Sequence, residues 1–130
     1  MVLKMAQILN AYNWAASMRS KNIPYAAAFL IASNLNNMET DMKNFENQKM
    51  SMLEQYGKKD SDGNLIVHED NSVELEDKES FAKEFNKLLE CEVEVTINKI
   101  PIEEVKDLSI SIEQMKLISF LFVSNKTVTE

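Results

Sequence analysis

From Tyr25 to Tyr56 the chain contains neither proline nor glycine, while Pro24 and Gly57 stand immediately on either side, and this run constrains the fold more than any other feature. Proline is tolerated at the start of a helix, where its missing donor is not needed, and glycine suits the position that follows a helix. The run therefore predicts one unbroken helix of about 50 Å, longer than a small globule is wide. Only two glycines and two prolines occur in the 130 residues, so few other places can turn sharply and long helices are favoured.

Inside the run, Ile31, Leu35, Met38, Met42, Phe45, Lys49, Met52 and Tyr56 alternate in steps of four and three. A 3.5-residue period keeps one narrow apolar stripe facing a partner helix along its whole length. The first helix, read over residues 3–18 with Met5, Ile8, Leu9, Tyr12, Ala15 and Ala16 on one face, is expected to fold back through the Pro24 turn and cover the proximal half. A second copy of the chain is expected to cover the rest, which makes Ile31, Leu35, Met38, Met42, Phe45 and Met52 the expected homo-oligomer interface. An intramolecular helical hairpin is the alternative.

Beyond Gly57, the Asp60-Ser-Asp-Gly-Asn64 segment is turn chemistry leading into short β segments at Leu65–Val67 and Val73–Leu75. A third helix is expected over roughly Asp77 to Cys91, with Asp77 as N-cap and Phe81, Phe85, Leu88 and Leu89 on one face. Val93, Val95 and Ile97 then alternate with polar residues, the pattern of a half-buried strand. Its partner is sought in Leu65–Val67, in Val73–Leu75 or in another copy. After Pro101 a helical turn at Ile102–Leu108 is expected. Ser111 and Gln114 then form a capping box that opens a last helix through about Phe122. No internal repeat is evident. The fold class is α+β and mostly α: a long helical hairpin or coiled-coil element, a small antiparallel β element and C-terminal helices. Residues 1–123 are read as a single helix-rich domain and 124–130 as a flexible C-terminal tail carrying an Asn125–Thr127 glycosylation pattern.

With 14 basic and 21 acidic side chains the formal net charge is −7. The basic residues include one arginine and no stripe of lysines, so duplex DNA is a poor partner. No apolar stretch approaches the ~20 residues that cross a bilayer, and the first residues lack the pattern of a secretory signal. The expected location is the cytoplasm, with no membrane contact. One cysteine and one histidine exclude a disulfide scaffold and a zinc module.

His68 lies in an acidic loop without a second histidine or a serine elbow nearby, and Cys91 lies between Glu90 and Glu92, whose charges oppose a thiolate. Cys91 is expected to be buried filler. Asp60, Asp62 and Asn64 match the start of a calcium loop, but the glycine and bidentate-glutamate positions hold Leu65 and Asn71. No cofactor, metal site or catalytic residue is expected. One group could hold a nucleotide: Trp14, Arg19, Lys21 and Tyr25 cluster around the first inter-helix turn, and rings beside cations grip a base and a phosphate.

The segments Ile23-Pro-Tyr-Ala-Ala-Ala-Phe-Leu-Ile-Ala-Ser-Asn-Leu35, Phe45-Glu46, Met52-Leu-Glu-Gln-Tyr56, Asp60-Ser-Asp-Gly-Asn64 and Phe85-Asn-Lys-Leu-Leu-Glu-Cys-Glu-Val-Glu-Val95 resemble a family of small proteins encoded by bacteriophages and prophages of Gram-positive bacteria. The family carries no known catalytic residues. The resemblance implies a phage origin and hence virion assembly, takeover of a host factor or counter-defence; joined to the helix seam and the lack of a catalytic constellation, it leads to the expectation of a non-enzymatic, oligomeric accessory protein that acts by binding. Its expected role is to antagonise host anti-phage defence, by blocking a host defence protein or by sequestering a nucleotide signal. The alternative is a phage assembly or chaperone component.

Overall fold

The computed structural model describes residues 1–124. The expected tail and its glycosylation pattern lie outside the described residues, apart from Ser124. The chain runs β1 (Val2–Lys4), α1 (Met5–Ser17), α2 (Tyr25–Tyr56), α3 (Lys78–Glu90), β2 (Glu92–Glu94), β3 (Ile100–Pro101), a 3-10 turn (Ile102–Val105), α4 (Ile112–Ile118), a second 3-10 turn (Ser119–Leu121) and β4 (Phe122–Val123). The fold is α+β and mostly α, as its patterning implies.

The long helix is real and unbroken. Pro24 caps it in an extended conformation, and the Gly57 N–H closes its last turn on the Leu53 carbonyl. Gly57 is required for its size and not for a left-handed backbone, because its φ is −74° and an added Cβ would collide with the Leu53 carbonyl and the Leu65 side chain.

The apolar stripe of α2 is closed by the chain itself, which corrects the expected interface between copies. Ile31, Leu35, Met38 and Phe45 are buried within one chain, and Met42 packs against the same core. Over the proximal half lies α1, where Tyr12 Oη donates to Glu39 Oε2 at 3.1 Å. Over the distal half lies α3, with Phe85 against Phe45 at 5.8 Å between ring centres and Phe81 against Tyr56 at 6.5 Å. Met52, also assigned to the interface between copies, lies with Tyr56 and Leu88 beside a groove between α2 and α3. The physical reason is the reversal at the tip of α2. It returns α3, whose own apolar face is pronounced, along the helix that needed covering.

That reversal contains an internal repeat which the sequence reading missed. Lys58, Ile66 and Glu74 are eight residues apart, and each donates its N–H to the carbonyl of another in a closed ring: Lys58 to Glu74 at 2.8 Å, Glu74 to Ile66 at 3.0 Å and Ile66 to Lys58 at 3.0 Å. Antiparallel bridges Gly57–Leu75, Lys59–Leu65 and Val67–Val73 join every segment to both others, giving a three-sided knob. The equivalent turn positions Gly63 and Asn71 both take positive φ, 83° and 69°. Gly57 sits where Leu65 and Val73 converge, so the same contacts that forbid a Cβ there close the inside of the knob.

The β2 strand pairs antiparallel with β1, Leu3 opposite Val93, a partner outside those proposed from sequence. The pairing is short. After Glu94, buried Val95 still bonds to Met1, its N–H donating to the Met1 carbonyl at 2.9 Å, and beyond it Thr96 and Asn98 bond to α2 side chains. The last helix is also shorter than its capping box implied, since Phe122 leaves helical geometry to pair with Ile100 in a parallel β3–β4 bridge.

Candidate functional site

The four residues assigned to a nucleotide site are not brought together. Trp14 is 3 % exposed and stands edge-on to the Phe122 ring, 5.3 Å between centroids. Tyr25 is 96 % exposed and points away from the fold. Only Arg19 and Lys21 share a depression, about 210 Å³, whose floor includes Ala15, Met18, Ile31 and Leu35. Arg19 Nη2 also reaches Tyr12 Oη at 3.4 Å, in a chain that ends on Glu39. Helical phase explains the split: Trp14 follows Ala11 by three residues, on the buried side of α1, whereas Tyr25 begins the solvent side of α2.

The other sequence candidates are local structure. Asp60 Oδ1 accepts from the N–H groups of Asp62 and Asn64 at 2.9 and 3.1 Å, so this carboxylate is engaged in its own turn. Asp70 does the same for Ser72, and the hydroxyl and N–H of Ser72 hold its carboxyl below the usual range. His68 is exposed, with Nε2 4.0 Å from Glu74 Oε2. Cys91 is exposed, against expectation, because it follows the end of α3 where the apolar face has run out; its Sγ donates to the Lys87 carbonyl at 3.4 Å.

An apolar hollow that sequence reasoning did not single out lies toward the C-terminal end of the described residues. The chain from Ile102 to Ile110 passes over Trp14 and Phe122, leaving a cavity of about 280 Å³ walled by Ile102, Val105, Leu108 and Met115, with Glu103 and Lys106 at its edge. It adjoins a shallower depression of about 520 Å³ that shares Ile110 and Met115 and includes Ile112 and Lys116. The Ser111 hydroxyl accepts from Gln114 N–H at 3.0 Å, which starts α4 here and fixes where Ile112 projects. Ile112 is 79 % exposed. Together these form a continuous apolar channel with charge only at its margins. Such a lining takes up aliphatic and aromatic groups by removing them from water, and few polar groups are present to orient a polar ligand. The signal available in sequence was Ile110 and Ile112, two large apolar residues flanking a helix start, where only one is needed for an inward face.

No protein-family model matches the chain, and no similar protein was found among curated proteins or solved structures.

Proposed function

We propose that this chain is a phage accessory protein that acts as a homo-oligomer by binding and not by chemistry, and that it antagonises host anti-phage defence by occupying a host protein. The observation that carries the binding reading is the apolar channel from Trp14 to Ile112, open to solvent and margined by Glu103, Lys106 and Lys116. A cavity of about 280 Å³ suits one or two apolar side chains of a protein segment, with the open depression beside it receiving the flanking chain. The blocking form is preferred to nucleotide sequestration because Trp14 and Tyr25 lie apart and neither joins the cations Arg19 and Lys21. The phage context rests on the sequence resemblance.

The test is a plating assay in a Gram-positive host that carries an active anti-phage system, with and without expression of this protein. The proposal expects plaque formation to be restored by the natural chain and lost with Ile112→Asp, whose position is solvent-exposed in the fold. Restoration by both, or by neither across a panel of defence systems, overturns it.

A further inference from the structure

Asp62-Gly63 is the one place in the chain where an aspartate or asparagine precedes a glycine. At such a pair the main-chain nitrogen of the second residue can close a five-membered ring on the side-chain carboxyl carbon of the first, and glycine has no side chain to hinder the approach. The knob leaves this pair open and protects the two nearest in kind. Asp62 and Gly63 are both exposed, and a Cβ built on Gly63 would meet no atom within 4 Å. The Asp62 carboxylate makes no hydrogen bond or ion pair among the described residues, whereas Asp60, which precedes Ser61, has its Oδ1 occupied by the N–H groups of Asp62 and Asn64. Asn71 precedes Ser72, whose N–H is held by the Asp70 carboxylate at 3.0 Å. The Gly63 N–H donates to the Asp60 carbonyl at 3.1 Å, a neutral contact in an exposed turn that water replaces at little cost.

We infer that Asp62 is a self-modification site, at which the chain converts aspartate to isoaspartate and thereby loosens the knob. In the first step the Gly63 nitrogen forms a bond to Asp62 Cγ while one Cγ–O bond of the protonated carboxyl breaks. The departing hydroxyl leaves with the nitrogen's hydrogen as water, and a cyclic imide remains. Water then opens the ring. Attack at Cγ restores aspartate, whereas attack at the Asp62 main-chain carbonyl carbon leaves the backbone running through the side chain, with a free α-carboxylate. The water lost is regained, so the change is an isomerisation that needs no oxidant, reductant or cofactor. Its product is one methylene longer between Asp60 and Asn64. That turn is closed by the Asp60 N–H on the Asn64 carbonyl at 2.8 Å, beside the Lys59–Leu65 bridge. Lengthening it disturbs one side of the three-sided ring, and with it the reversal that lays Phe81 and Phe85 over Tyr56 and Phe45. The channel at Trp14 and Phe122 shares no residue with this turn and keeps its lining.

Isoaspartate leaves the mass unchanged, so its position is read by electron-transfer fragmentation of peptides, and its amount by methylation of the new α-carboxylate with an isoaspartate methyltransferase. The full chain, aged for weeks in mildly acidic buffer, should accumulate isoaspartate at position 62. Its share relative to positions 60 and 71 should exceed that in the same chain aged in urea, where the turn contacts that protect Asp60 and Asn71 are gone. Asp62→Glu, which could close only a six-membered ring, should accumulate none at this position, and its exposure lets the fold accept it. The separated isoaspartyl form should exchange the amide hydrogens of Lys58, Ile66 and Glu74 about tenfold faster than the unaged protein, as a local opening made easier requires, and that of Trp14 at an unchanged rate. No isoaspartate at position 62 of the folded chain, or a share no greater than in urea, overturns the site. Isoaspartate there with unaltered exchange at those three amides overturns the loosening of the knob.

Discussion

The carboxamide of Asn34 meets the backbone of Asn98 as one strand meets another. Its Oδ1 accepts from the Asn98 N–H at 2.7 Å and its Nδ2 donates to the Asn98 carbonyl at 2.9 Å. Asn34 is 1 % exposed and, among the described residues, the one buried polar side chain. Asn37 extends the arrangement one turn on, donating to the Thr96 carbonyl at 3.1 Å. A helix has no spare backbone groups for a neighbouring extended chain, so two asparagines on α2 supply them. This is what holds the segment from Thr96 to Asn98 against α2 once its pairing with the first residues of the chain has ended.

Replacing Asn34 with leucine keeps the bulk and removes both partners. Each buried backbone group left unpaired costs about 1–3 kcal/mol, so for the two a loss of about 2–6 kcal/mol is expected in urea unfolding. Asn34→Asp is more informative, because the carboxylate can still accept from Asn98 N–H but sets a second oxygen against the Asn98 carbonyl. Burial and that oxygen both oppose ionisation, so the folded pKa of the new acid rises above its unfolded value of about 3.9. The folded state then holds its proton more tightly than the unfolded state. Relative to the natural chain, the variant should recover stability as pH falls through the raised pKa and lose it as pH rises. A penalty that does not vary with pH would show that Asn98 has found other partners.

The helices were legible because their signals are local. The span of α2 follows from Pro24 and Gly57, and the caps Asp77 and Ser111 are where their side chains indicate, accepting from Ser80 and Gln114 N–H at 3.0 Å each. The partner of the α2 stripe was not legible, because the 3.5-residue period reports that a face is covered and is silent on which helix covers it. Phe81 and Phe85 carry the answer, yet bringing them over Phe45 and Tyr56 depends on a reversal whose repeat is spelled with unlike residues: Lys58, Ile66, Glu74. The pairing of Leu3 with Val93 escaped for a related reason, since three residues leading straight into a helix are too few to alternate. The channel needed tertiary structure outright, because Trp14 and Phe122 meet from opposite ends of the chain.

The octad repeat makes the two glycines respond differently to substitution. Gly57→Ala forces a Cβ into the Leu53 carbonyl, a backbone atom that cannot step aside, and should cost about 1–3 kcal/mol or more through overpacking. Gly63 has open space around it but a φ of 83°, so alanine there meets backbone strain alone. Because Asn71 holds the equivalent position at φ 69°, Gly63→Asn should be tolerated better than Gly63→Ala. Thermal unfolding of the three variants checks the order. A Gly63→Asn protein less stable than Gly63→Ala would break the equivalence of the two turns.

The start of α3 should depend on pH. The hydroxyl and N–H of Ser80 both donate to the Asp77 carboxylate, and these two bonds hold its pKa below the usual value. A depressed folded pKa contributes stability that is present above the unfolded value and is lost as pH falls through the folded one. Asparagine caps about as well as aspartate but does not titrate in this range. The stability difference between the natural chain and Asp77→Asn should therefore be constant near neutrality and shift in favour of the variant in strong acid. Urea unfolding from neutral pH to about pH 2.5, below the ordinary carboxylate range, measures it.

Trp14, Arg19 and Tyr25 should separate by what their removal does to folding. Trp14 lies in the core against Phe122, so Trp14→Ala removes an aromatic pair and opens a cavity, at a cost of about 3–5 kcal/mol. Arg19 and Tyr25 are exposed, and Arg19→Ala gives up only a long contact with Tyr12 Oη at 3.4 Å, so each substitution should stay within about 0.5 kcal/mol. If the three instead formed one nucleotide site, all should be nearly neutral for folding and all should abolish the thermal stabilisation that a bound nucleotide confers. Unfolding curves, with cyclic and linear nucleotides added in turn, distinguish the two cases. The arrangement described here expects a large loss for Trp14→Ala alone and no stabilisation of the natural chain by any nucleotide. An exposed-residue variant that erased a nucleotide-dependent shift would restore the sequestration role.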